Sequence, residues 1–315
     1  MEAAVAEASR MRLVDDGGRA CAIEIGDVRV VALLDGVSDT GPTFPFVGAN
    51  ASRERVEAAA AIADQTRALF NVSAFVVETP EQTVLVDAGY GPYAPDAKTG
   101  HVGEALQLAG YVPSDIQVAV LTHAHIDHLG GFVSEDKSPA FPNARIHMTA
   151  AERDFWLGTP DTSQMTITET FQRTLKTDAR EALGVISEQT SVFDADQLPL
   201  TGVSAILVPG HTPGHVNYLF GSADAPSESV RHIGDLLHMQ QLQLPNPSWQ
   251  DGADTYPLVG IRQRETVLGE LADSGQVIMS GHFPWPGIGT IRRSDLAPEG
   301  FAFQPAPGCE SASTL

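Results

Sequence analysis

Leu121-Thr122-His123-Ala124-His125-Ile126-Asp127-His128-Leu129-Gly130-Gly131 brings four metal-ligand side chains together within six positions, directly after the apolar run IQVAVLT at 116–122. That run has no polar alternation, which predicts a strand buried on both faces. While the chain stays extended, His123 and His125 point the same way and can grip one metal ion. A turn into a helix after Ile126 would re-aim Asp127 and His128 toward a second ion. Imidazole nitrogen and carboxylate oxygen are the donors that zinc and similar metals accept. One buried histidine is usually an ordinary core residue, but four such groups at this spacing are not explained that way.

Working outward, three later segments each present a ligand type at the end of a predicted strand: VPGHTPGH at 208–215, HIGD at 232–235 and MSGH at 279–282. They add His211, Asp235 and His282. Thr212 and His215 are expected to form the hydrogen-bonded layer that orients ligands. The set divides into one site of His123, His125 and His211 and another of Asp127, His128 and His282, with Asp235 shared between them. Two divalent ions so held would acidify a bridging water into a hydroxide nucleophile, and Asp127 is the expected catalytic residue that handles its proton. Zinc is expected, and the N/O ligands also suit manganese, cobalt or iron.

The rest of the chain alternates strand and helix in two halves. Strands are expected at 28–34, ending in an Asp35-Gly36 turn, at 73–78 and 83–87 as a hairpin, and at 203–209, 216–220, 230–234 and 277–280. Helices are expected after Ser52, at 103–109 with Gly110 as the stop, from a Thr149/Glu152 capping box, at 163–183 and at 254–273. The 315 residues are expected to form a single domain, with an N-terminal extension over 1–20. An insert at about 41–70 would be a surface excursion, a pocket lid or a dimer contact.

With 19 basic against 40 acidic residues the formal charge is −21, so a nucleic-acid backbone or an anionic membrane surface would meet mostly repulsion. A small-molecule substrate is expected instead. The N-terminus carries early acids and no apolar core of signal-peptide length, and no stretch approaches a membrane span, so a cytoplasmic protein is expected, with a removed export signal left open. Cys21 and Cys309 lie near opposite ends in no metal or redox spacing, and their pairing stays open.

THAHIDH, GHTPGH, GD and SGH, in that order, resemble the signature of the metallo-β-lactamase superfamily. The resemblance implies an α/β fold, an αββα sandwich of two mixed sheets flanked by helices, with the metals at one edge. GDLLHMQQLQLPNPSW at 234–249 and GHFPWPGIGTI at 281–291 are similar to the branch containing methyl parathion hydrolase, lactonases and arylesterases, where dimers occur; a homodimer is expected by that analogy. In that branch the equivalent of Trp156 lines an aromatic pocket. His238 stands where the better-known acyl-homoserine-lactone lactonases carry a substrate-contacting tyrosine. Tyr93 and Phe171 join these two as candidate substrate contacts. The expected function is hydrolysis of an ester, lactone or organophosphate triester. Alternatives are an iron-dependent redox enzyme of the sulfur dioxygenase kind and a non-catalytic ligand-binding protein.

Overall fold

The computed structural model describes residues 12–13, 18–194, 197–297 and 299–308. The possible Cys21–Cys309 pairing involves a residue outside these, as does most of the expected N-terminal extension. Two sheets pack face to face. The first runs in spatial order β1 (Arg12–Leu13), β2 (Ala20–Ile25), β3 (Val28–Pro42), β4 (Arg67–Glu78), β5 (Thr83–Val86), β6 (Val118–Val120), β7 (Arg145–Thr149) and β8 (Thr190–Phe193). Strands β1 to β5 pair antiparallel and β5 to β8 parallel. The second sheet has the order β14 (Phe301–Pro305), β13 (Ile288–Arg293), β12 (Val277–Met279), β11 (Val230–His232), β10 (Val216–Phe220) and β9 (Val203–Leu207). Only its β11–β12 pair is parallel. Both sheets are therefore mixed, as expected.

Period-two alternation assigns successive residues to different cores. In β4, Phe75 and Val77 join Val30, Ala32, Val86, Val120, Tyr218, Phe220 and Met279 in the layer between the sheets. Their neighbours Val72, Ala74 and Val76 face outward, under the helices. Because both faces are covered, β5, β6 and the 74–77 part of β4 read as continuous apolar runs. Burying a side chain such as Phe75 stabilises the fold by roughly 1.5–3 kcal/mol relative to leaving it exposed.

The helices take the outer faces. On the first sheet lie α1 (Arg53–Ile62), α2 (Val102–Leu108), α3 (Ile126–Leu129), α4 (Ala150–Leu157) and α5 (Glu169–Val185); α6 (Gln240–Gln243) and α7 (Pro257–Ser274) follow later in the chain. In α5 the buried residues Leu175, Ala179, Ala182 and Leu183 make one stripe. In α7, Gly260, Arg264, Val267, Leu268 and Leu271 do the same. Helix α7 starts with Pro257 in its first turn and stops at the left-handed Gly275.

Four sequence expectations change. Asp35-Gly36 is not a turn: β3 runs on to Pro42 through a bulge between Leu34 and Gly36. The backbone of Lys98 packs there, 1.7 Å from where a Cβ on Gly36 would sit. Asp35 meanwhile turns inward to accept from the amides of Gly100 (2.8 Å) and Val102 (3.1 Å). Helix α5 begins only after Thr168, whose side chain accepts from the Phe171 amide, because Thr166 is engaged with Pro45 and Gly252. Thr149 caps α4 as expected, but the Glu152 side chain does not close a capping box. The segment at 41–70 is not one insert either, since its last residues belong to β4 and its first to β3. Ser52 caps α1 within it.

Among the described residues, no helix is long and apolar enough to cross a membrane.

Candidate metal centre

Strands β5 and β6 run parallel, and so do β11 and β12; β9 shares their direction, because it is antiparallel to β10 as β10 is to β11. Each of these strands therefore ends at one edge of its sheet. The residues just past those ends are Asp87, His123, His211, Asp235 and His282. This is why ligands scattered over 160 positions of sequence meet.

All seven expected ligands converge. His123, His125, His211 and Asp235 offer ligand atoms within 4.8 Å of one another, and so do Asp127, His128 and His282. Asp235 stands between the two groups. Its Oδ2 lies 3.4 Å from His123 Nε2 and 3.2 Å from His211 Nε2, and also 3.1 Å from His282 Nε2. Its Oδ1 lies 3.2 Å from His128 Nε2. Asp127 Oδ2 is 3.6 Å from both His128 Nε2 and His282 Nε2. The imidazole nitrogens His211 Nε2 and His125 Nδ1 face each other at 2.9 Å.

These residues fit divalent metal ions. His123 Nε2 is buried and has no hydrogen-bond partner among the described residues, yet it faces the cluster, 3.4 Å from Asp235 Oδ2. Unpaired buried polar atoms cost roughly 1–3 kcal/mol each unless something satisfies them, and a cation is the partner this donor set suits. Burial holds the His123 and His125 imidazoles well below their usual range, in the neutral form that ligation needs. Burial also disfavours charge on His128, but Asp235, Asp127 and Asp87 outweigh it and raise that group well above its usual range.

A second layer orients the ligands. Thr122 donates to Asp87 Oδ2 (2.8 Å) and contacts His123 Nδ1 (3.1 Å), while His128 Nδ1 lies 2.8 Å from the same Asp87 oxygen. His282 Nδ1 donates to the Asn71 carbonyl (2.7 Å). His211 Nδ1 lies 3.1 Å from Asp254 Oδ1, and the fully buried Arg264 donates to Asp254 Oδ2 at 3.2 Å. Arg264 also donates to the carbonyls of Leu236, Pro247 and Trp249, which ties α7 to the loops around the site.

His215 is hydrogen-bonded to the backbone of Asp235. Its Nδ1 donates to the Val208 carbonyl and its Nε2 accepts from the Asp235 amide, both at 2.9 Å. Burial lowers the imidazole to about 4, so it stays neutral in this tautomer. His232 Nδ1 accepts from the amide of Gly234, two residues on, at 3.1 Å. Gly234 has φ +51°, and a Cβ there would lie 2.2 Å from His215 Nε2, so the turn that presents Asp235 requires glycine. The Thr212 hydroxyl donates to Glu152 Oε2 at 2.6 Å.

His238 joins the centre. Its Nε2 lies 3.2 Å from Asp235 Oδ2, and its Nδ1 lies 2.7 Å from the buried Asp251. Its ring stacks on His282 at 4.5 Å and meets Phe70 and Phe46 edge-on at 5.0 and 5.4 Å. Trp156 is fully buried, with its ring 5.4 Å from His125 and its Nε1–H donating to Glu152 Oε1. Tyr93 is engaged near the surface, its hydroxyl with Glu181 and its ring beneath Lys137. Phe171 packs at the start of α5 on the outer core.

Sequence reasoning missed Asp87, Glu152, Asp251, Asp254, Arg264 and Phe70. Asp87 carried a signal, an acid directly after the run TVLV. The others had none, since their roles depend on loops distant in sequence.

The description "Metallo-beta-lactamase superfamily" belongs to the family model that matches residues 67–239. The chain is 30% identical over 185 residues to a probable metallo-hydrolase of Mycobacterium tuberculosis, covering 52% of this chain and 56% of that protein. It thus spans about half the length of the curated relatives it matches. Among solved structures it is similar to AidC, a dizinc quorum-quenching lactonase solved with a product, with a TM-score of 0.82, 25% identity, and coverage of 95% of this chain and 98% of that one. The hydrolase AbOPH has a similar fold, with a TM-score of 0.78, 24% identity, and coverage of 90% and 96%. The αββα sandwich and the histidine and aspartate groups at its edge thus meet a family match over more than half of the sequence: the chain belongs to the metallo-β-lactamase superfamily.

Proposed function

We propose that this protein is a two-metal hydrolase of lactones and related carboxylic esters, with zinc as the metal. One observation carries the reading: Asp235 presents its two oxygens to both histidine groups at once. Bound there, the ions would supply acidification of a water and polarisation of the scissile carbonyl. The remaining work falls to side chains. His123, His125 and His211 would hold one ion, and Asp127, His128 and His282 the other, with Asp235 shared. Asp127 has 12% of its side chain exposed where Asp235 has 1%, so it is the ligand open to an arriving substrate. It would take the nucleophile's proton and pass it to the leaving oxygen.

Phe46 and Phe70 pack on His238 and His282 and support an apolar roof over the second half-site, which suits an acyl or aryl group. His238, fixed by Asp251, would meet the polar part of the substrate. The likeness to AidC over nearly the whole of both chains favours a lactone. Pairing of two copies through 41–70 belongs to the same proposal and is supported by the exposed Ile62 and Leu69; light scattering that found only monomer would remove it.

The test is a panel of acyl-homoserine lactones, aryl lactones, p-nitrophenyl esters and methyl paraoxon, assayed with zinc, manganese, cobalt or iron. Metal-dependent turnover of lactones is expected. No turnover on any lactone or ester, or oxygen-dependent turnover with iron alone, would overturn the proposal.

A further inference from the structure

The fully buried Glu152 lies outside the ligand set, and its surroundings are unusual. Oε1 accepts from the Ala124 amide at 2.8 Å and from Trp156 Nε1 at 2.7 Å, while Oε2 accepts from Thr212 Oγ1 at 2.6 Å and the Gly214 amide at 3.1 Å. Four donors converge on one carboxylate, and among the described residues no cation pairs with it. Three of the donors are adjacent to a ligand of the same half-site, and the fourth, Gly214, belongs to the loop that carries His211. Ala124 lies between His123 and His125, Thr212 follows His211, and Trp156 sets its ring against His125.

We infer that Glu152 is a positioning residue that clamps the 122–128 and 209–215 loops together and so builds the His123/His125/His211 half-site selectively. It does this without touching a ligand atom. The second half-site is oriented by other groups, the Asp87 carboxylate on His128 and the Asn71 carbonyl on His282. An isosteric amide cannot replace the carboxylate. Glutamine has one acceptor oxygen: with that oxygen on Ala124 and Trp156 its NH2 can donate to the Thr212 hydroxyl but opposes the Gly214 N–H, and turned the other way it opposes both the Ala124 and Trp156 N–H groups, so at least one fixed donor loses its partner and the clamp weakens. The inference rests on the two-half-site reading.

The experiment measures zinc affinity by competition with a chromophoric chelator, in chains reduced to one half-site. His282→Ala leaves the first and His211→Ala the second. Adding Glu152→Gln should weaken zinc by about tenfold or more in the His282→Ala chain, the usual effect of losing an orienting partner. In the His211→Ala chain the change should stay within about twofold. Equal losses in both chains, or none in the first, would overturn the clamp. Circular dichroism of the metal-free chains checks folding. If Glu152→Gln does not fold, Thr212→Val against Thr212→Ser in the His282→Ala chain decides the matter, because only valine removes the hydroxyl; equal affinities would overturn the inference. Zinc stoichiometry of the unaltered chain separates the two readings. One ion per chain would overturn the two-metal reading, and the Glu152→Gln effect on that ion would still decide the clamp.

Discussion

Asp254→Asn changes one atom and puts the orientation of His211 to the test. His211 can offer Nε2 to a metal only while its proton sits on Nδ1, and Asp254 Oδ1 receives that proton at 3.1 Å. The other oxygen, Oδ2, accepts from Arg264 at 3.2 Å. An asparagine has one carbonyl for two donors. Turned toward Arg264, it sets its NH2 against Nδ1 and drives the imidazole proton to Nε2, where the metal must bind. Turned toward His211, it opposes NH2 to a buried guanidinium. Either way one charge-assisted hydrogen bond is lost, worth about 1.5–3 kcal/mol. Zinc affinity should therefore fall by about 10–100-fold, and the metal-free melting temperature should drop because Arg264 is left without its carboxylate. Chelator competition measures the first effect and calorimetry the second. Affinity within about twofold of the unaltered chain, with an intact fold, would refute the reasoning.

Gly234→Ala places a Cβ 2.2 Å from His215 Nε2 in a left-handed backbone; thermal unfolding should show a loss of about 1–3 kcal/mol, and the displaced Asp235 should lower the zinc content measured by atomic absorption. His238→Phe should keep two zinc ions but reduce kcat/KM for lactones by about tenfold or more, measured by a pH-indicator assay; unchanged turnover would remove His238 from the substrate. Burial opposes charge on His211, yet Asp235 and Asp254 raise it to about 9. The metal-free chain therefore carries a proton there at neutral pH which an ion must displace. Zinc affinity should strengthen as pH rises toward about 9, and titration calorimetry in buffers of different ionisation enthalpy should show proton release.

The cluster of candidate ligands was legible because metal coordination demands particular atoms at particular strand ends, and strand ends are visible locally: Leu121 ends an apolar run, and His123 follows it closely. Strand identity was legible where both faces are covered, as in β5, β6 and the second half of β4, whose first residues were expected in an insert. It failed at β1, β2, β7, β8, β13 and β14, which were not anticipated, and at Asp35-Gly36, where the usual turn pair is a bulge.

The sequence by itself determined the family, the αββα fold and seven candidate groups able to hold metal, since each is written in short patterns of polarity and donor type. Only the tertiary structure decided what orients those groups. Glu152 looks like half of a capping box until Thr212 and Gly214 arrive from 60 residues away. Arg264 looks like a surface residue of α7 until three loop carbonyls and Asp254 surround it. Trp156, expected at a pocket wall, is closed into the core behind His125. A buried polar side chain takes its meaning from partners brought in by chain crossings, and no local pattern encodes which loops will meet.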